Sequence, residues 1–325
     1  MRRREWLLGA AALAMTSRLR AQAPLVRRVA IAMPGVPEAD ARNIDAIRRR
    51  LAELGWVEGR TIEYAYGHAR GQTARNESVI AELLAKKPDV LLVWYGLMAQ
   101  VAQKQTRDVP IVFAISSNPE KYGIVASLAR PGGNVTGVST RELELLGKRI
   151  EILREITPAM TRVAVLVNPD SPEISKLYVD TYGQFARKAG MQLLSAGARS
   201  VAELRPAFDR LMREGAQGLL NIADPIQSVM RSEIAAHAAR VRLPAVYTAD
   251  FYVEAGGLAS YGIDPVDQAR RAAAYVDKIL RGAKPADLPV EEPTNFPLVV
   301  NLRAAREQGL KLPQSILVRA SRVIE

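Results

Sequence analysis

Apolar and polar positions along the chain alternate in two registers from Arg28 onward. Short continuous apolar runs are followed by segments whose apolar residues recur at helical spacing. Val29 to Met33 reads as a buried strand. Ile44, Ile47, Leu51 and Leu54 then mark one helical face, and Gly55 stands where such a helix ends. Thr61 to Tyr66 reads as a second strand, Ile80, Leu83 and Leu84 as a helix, and Val90 to Trp94 and Pro110 to Ile115 as further strands with a short helix between them. The strands are unbroken apolar runs, as expected of parallel strands covered on both faces. The order βαβαβα predicts a doubly wound open sheet.

Pro131-Gly132-Gly133-Asn134 is the strongest turn signal, and beyond it the pattern restarts. The expected elements are Val135 to Val138, a helix from Leu143 to Ile156, strand Val163 to Val167, and a helix opened by Ser171-Pro172 and closed by Gly190. Strand Met191 to Leu194 follows, then a helix whose Ser200 and Glu203 have capping-box spacing. Strand Gly218 to Ile222, a helix through Arg240, strands Ala245 to Tyr247 and Leu258 to Tyr261, and a helix from Asp267 to Leu280 complete the series. The fold class is therefore α/β: two doubly wound parallel-sheet lobes with a cleft between them. Lobe I is expected over 24–138 plus about 248–290 and lobe II over 139–247, with 291–325 a tail assigned to neither.

The first 23 residues read differently. Arg2-Arg3-Arg4, an apolar run from Trp6 to Met15 and Ala21-Gln22-Ala23 are the charged region, apolar region and cleavage site of an export signal. The apolar run is about half the ~20 residues that span a bilayer. Arg3-Arg4-Glu5-Trp6-Leu7 also matches the twin-arginine export pattern. A periplasmic location is expected.

The formal charge of +11 suggests nucleic acid at first sight. The leader carries five Arg against one Glu, a balance of +4, which leaves +7 for the rest. Those bases are spread along helices beside acids, with no aromatic interleaving, so no nucleic-acid partner is expected. With no cysteine and only His68 and His237, neither a thiolate or multi-histidine metal site nor a cysteine nucleophile is expected. The phosphate-cradling and nucleophile-elbow motifs are absent as well, so neither a cofactor nor catalysis is expected.

In open α/β sheets ligands sit beyond the carboxyl ends of the strands. Polar residues stand there in Ser116-Ser117-Asn118, in Asn168 to Ser171, and at Asp224, Asp250 and Asp264. Asn, Asp and Ser also make good turns and caps, so each has a purely structural alternative.

Longer stretches add specificity. Pro110 to Pro119, Val125 to Ser139, Tyr247 to Gly262, Lys284 to Val290, Leu298 to Leu302 and Leu310 to Glu325 together resemble the ABC transporter substrate-binding family related to tryptophan/tyrosine importers. The resemblance runs through the whole chain after the leader. It implies the type I periplasmic-binding fold, two lobes joined by hinge strands, and closure around a small solute: an amino acid, aromatic or branched and apolar. It implies a monomer working with ABC permease and ATPase subunits in the inner membrane; a periplasmic sensor feeding a membrane receptor or kinase is the alternative. On this reading Ser116, Ser117 and Asn118 donate to a ligand carboxylate, helped by helix-start amides. Asp250, or else Asp224, pairs with a ligand ammonium, Asn168 lies at the cleft, and Tyr95, Phe251 or Tyr261 stacks on the side chain.

Overall fold

The computed structural model describes residues 26–325, so the expected leader lies outside the described residues. The first sheet has five strands, β1 (Arg27–Met33), β2 (Ile62–His68), β3 (Val90–Tyr95), β4 (Ile111–Ser116) and β5 (Val135–Ser139), in the order β2-β1-β3-β4-β5. All four ladders are parallel, with Val29 opposite Tyr64 on one side and Val90 on the other. The central strands are buried on both faces, which is why they are apolar without alternation. One face packs on α1 (Pro37–Glu53) and the other on α2 (Asn76–Ala85) and α3 (Gly96–Gln105).

The second sheet has the order β12-β11-β10-β9-β8-β6-β7. Its strands are β6 (Arg162–Val167), β7 (Gln192–Gly197), β8 (Gly218–Leu220), β9 (Ala245–Tyr247), β10 (Ala259–Tyr261), β11 (Leu298–Asn301) and β12 (Arg322–Ile324). Only β10 and β11 pair antiparallel. The helices α4 (Glu142–Ile156), α5 (Pro172–Lys188), α6 (Val201–Arg213), α7 (Pro225–Val229), α8 (Arg231–Arg240) and α9 (Asp250–Glu254) belong to this lobe. The helix expected to run through Arg240 is broken at Met230 into α7 and α8. Ser171 and Ser200 do precede helices, but neither hydroxyl caps its helix.

The lobe boundary differs from the expected one near residue 248. Ala259 ladders with Val246 and with Val300, so the chain stays in the second lobe through Tyr261. It re-enters the first lobe only with α10 (Pro265–Leu280), which lies beside α1 on the first sheet. Ala269, Ala272 and Ala273 let α10 approach closely there. The tail also finds its place, with β11, α11 (Leu302–Glu307), α12 (Gln314–Arg319) and β12 extending the second lobe.

The chain therefore crosses between lobes three times: at Thr140–Arg141, at Gly262–Asp264 and over 292–297. The crossings lie close together. Ser139 N–H donates to the Glu291 carbonyl at 2.8 Å, and Glu291 N–H to the Gly137 carbonyl at 3.1 Å.

Candidate functional site

A cleft of about 820 Å³ lies between the two sheets, within the roughly 300–1,000 Å³ range of small-molecule sites. It is built from the carboxyl ends of strands of both lobes. Lobe I contributes Pro34 and Gly35 after β1, Tyr95 and Gly96 at the end of β3, and Ser116 and Ser117 at the end of β4. Lobe II contributes Ser171 after β6, Ala223 after β8, and Thr248 and Phe251 after β9.

Gly96 determines how closely α3 packs on the end of β4 at the cleft. A Cβ there would stand 2.7 Å from Ser116 Oγ and 2.8 Å from Ile124 Cδ1, so only glycine lets the first turn of α3 come up to Ser116. Peptide N–H groups at the start of that ten-residue helix, unpaired within it, adjoin two serines. Such a group of donors suits a carboxylate. Aromatic residues form part of the remaining wall: Trp94, Tyr95, Tyr122, Tyr178 and Phe251. Burial pushes the Tyr95 hydroxyl well above its ordinary range, the nearby Ser228 hydroxyl acting the other way, so Tyr95 stays neutral.

Four of the nine residues expected from sequence line the cleft: Tyr95, Ser116, Ser117 and Phe251. The other five are engaged elsewhere. Asn118 Oδ1 accepts from Lys121 N–H at 3.2 Å in a turn. Asn168 Oδ1 accepts from Asp170 N–H at 3.0 Å, and its amide donates to Asp224 at 3.1 Å. Asp224 is fully buried as the N-cap of α7, accepting from Ile226 and Gln227 N–H, and burial raises its carboxyl above the usual range. Tyr261 supplies its carbonyl to Arg149, and its ring lies 6.4 Å from that of Phe296.

Asp250 sits behind the cleft wall between two arginines. Arg42 of α1 reaches it at 3.3 Å and Arg322 of β12 at 3.1 Å, and the same two arginines hold Glu254 at 2.8 and 2.9 Å. Desolvation raises the Asp250 carboxyl, and Arg42 opposes the shift. Because Arg42 belongs to lobe I and the acids to lobe II, this cluster joins the lobes at the cleft edge. Across the cleft, Ile226 Cδ1 would meet a Cβ on Gly71 at 3.0 Å, so the lobes touch there too.

The Asp224 geometry gives a direct test of cap against ligand contact. Asp224→Ala is expected to cost about 1–2 kcal/mol of stability, the scale of a lost N-cap, while Asp224→Asn keeps most of it. Urea titration of both variants checks this, and ligand affinity is expected to follow neither.

Sequence reasoning missed the cleft floor. Thr140, on the first crossing, and Glu142, the first residue of α4, line it, and Glu142 is held by Arg149. Glu142, Leu146, Arg149 and Leu153 follow one another at helical spacing, so opposite charges in an otherwise apolar stripe were the available signal. Asp40 was missed as well. It lines lobe I of the cleft, 2.9 Å from His68 Nδ1, with its carboxyl raised by burial and His68 opposing.

Comparison with known proteins follows the same outline. A family model described as ABC transporter substrate binding protein matches residues 28–324. A curated tyrosine-binding protein of Clostridioides difficile is 25% identical over 259 residues, 78% of this chain and 72% of that protein. Among solved structures, a conserved domain protein from Vibrio cholerae O1 biovar eltor superposes with a TM-score of 0.83 at 26% identity, over 92% of this chain and 99% of that one. An ABC domain from Streptococcus pneumonia in complex with L-Trp superposes at 0.82 with 24% identity, over 92% of this chain and all of that one.

Proposed function

Because the chain belongs to the ABC transporter substrate-binding protein family, we propose that it is the extracytoplasmic component of an ABC importer and closes its lobes around an aromatic amino acid. The observation that carries the amino-acid reading is the junction, in one cleft, of a polar end rich in hydrogen-bond donors with a group of aromatic rings. Ser116, Ser117 and the start of α3 form the polar end, and Tyr95, Tyr122, Tyr178 and Phe251 supply the rings. Relatives that bind tyrosine and L-Trp support the same choice.

In this reading the serines and helix-start amides take the ligand carboxylate, and the rings pack on its side chain. No chemistry follows. Binding energy instead favours the closed arrangement, in which Arg42 meets Asp250 and Glu254, and the closed surface is what a permease with its ATPase recognises. An extracytoplasmic role agrees with the export signal expected from the sequence at 1–23, which lies outside the described residues, and no helix of the described residues is long and apolar enough to cross a membrane.

Thermal unfolding of ligand-free protein against a panel of amino acids and small carboxylates tests the reading. A micromolar ligand at about 1 mM adds roughly 4 kcal/mol, which is several degrees of melting shift at this chain length. The expected result is a shift confined to tyrosine, tryptophan and phenylalanine. A shift with a sugar or polyol, and with no amino acid, would refute it.

A further inference from the structure

Resting on the amino-acid reading, we infer that Glu142 and Thr140 form the subsite for the ligand's α-ammonium group, with Arg149 as the residue that positions Glu142. An α-amino acid carries its carboxylate and ammonium on one carbon, so the two holders must be neighbours. Thr140 N–H donates to the Ser116 carbonyl at 2.9 Å, which places the 140–142 crossing directly against the carboxylate end of the cleft.

The chemistry of the crossing fits a cation. Thr140 is 2% exposed and lines the cleft, yet its Oγ1 has no hydrogen-bond partner. A buried hydroxyl left unpaired is costly, and a bound donor would satisfy it. Glu142 is 3% exposed and also lines the cleft. Its two oxygens accept from Arg149 Nη1 and Nη2 at 2.5 and 2.9 Å, which uses two of about four acceptor positions on a carboxylate. Arg149 is in turn fixed by Nε donating to the Tyr261 carbonyl at 2.7 Å. The carboxylate is thereby locked in place with acceptor capacity remaining.

The other acids are less suited. Asp224 is committed to a helix cap and does not line the cleft, and Asp250 is flanked by two arginines. Glu38, Asp170, Glu173 and Glu254 line the cleft only from exposed positions. Asp40 is buried, but it lies on α1, where it is occupied by His68.

Calorimetric titration of wild type, Glu142→Gln and Thr140→Val with L-tyrosine, L-tryptophan and their des-amino analogues, 3-(4-hydroxyphenyl)propanoate and indole-3-propanoate, tests the assignment. Wild type is expected to bind each amino acid at least a hundredfold more tightly than its des-amino analogue. Each variant is expected to reduce that ratio to below tenfold, mainly by weakening the amino acid. Gln keeps an acceptor for Arg149 and Val keeps the shape of Thr, so a melting curve near wild type marks a folded variant. A preference undiminished in both folded variants would overturn the subsite, as would equal binding of amino acid and analogue by wild type, and either result leaves the aromatic, carboxylate-holding cleft standing. Failure of wild type to bind either amino acid would instead remove the reading on which the subsite rests, and the subsite with it.

Discussion

Arg149→Met is expected to destabilise the protein by about 3–5 kcal/mol, because it leaves the Glu142 carboxylate buried without its cation. Arg149 has no exposed surface, and its loss also removes the donor to the Tyr261 carbonyl. The pair joins the first crossing to the end of β10, beside the second. The damage therefore falls where the lobes are joined. A double variant, Glu142→Leu with Arg149→Met, is expected to recover most of the loss, since removing both charges leaves no buried unpaired charge and only the Tyr261 carbonyl without its donor. Urea titration of the two variants beside wild type measures both. A double variant no more stable than the single one would show that packing around the arginine, and not the orphaned carboxylate, sets the cost.

Gly262→Val is expected to cost about 3 kcal/mol or more, at or above the upper end of ordinary overpacking. A Cβ at Gly262 would lie 1.9 Å from the Thr248 carbonyl oxygen and 3.0 Å from Arg149 Nη2. The carbonyl is backbone and has little freedom to retreat, for Thr248 N–H is bound to Asn221 Oδ1 at 3.0 Å. The second crossing must then move away from the cleft floor, so ligand affinity is expected to fall with stability. Gly133→Ala is the control: nothing lies within 4 Å of its Cβ position, and melting is expected to change little. Thermal unfolding with and without ligand checks the pair.

The strands were legible because burial on both faces of a parallel sheet writes itself locally, as in Val90 to Trp94 or Ile111 to Ile115. The cleft's place was legible for the same kind of reason, since polar residues at strand ends mark the open edge of such sheets. Assignment of the acids was not. Asp224 stands before Pro225, a local sign of a helix cap that competes with any ligand role, and the cap is what forms. Asp250 is explained by Arg42 and Arg322, partners 208 and 72 residues away, and no local pattern encodes such a pairing. The boundary near residue 248 failed similarly. A three-residue strand such as Ala259–Tyr261 carries too little periodicity to show which sheet it joins.

The interleaving of the lobes bears on how the protein is made. β1 to β5 are complete at Ser139, but α10, which packs on one face of their sheet, ends only at Leu280. While the ribosome adds the intervening 140 or so residues, parts of Val29, Ile31, Val112 and Ala114 are without their cover. The second sheet waits longer still, for β11 and β12 at the very end of the chain. Neither lobe is therefore a segment that can mature early. A polypeptide with this order of synthesis is expected to expose apolar surface and strand edges until its last strands emerge, and its two halves made separately are expected to aggregate.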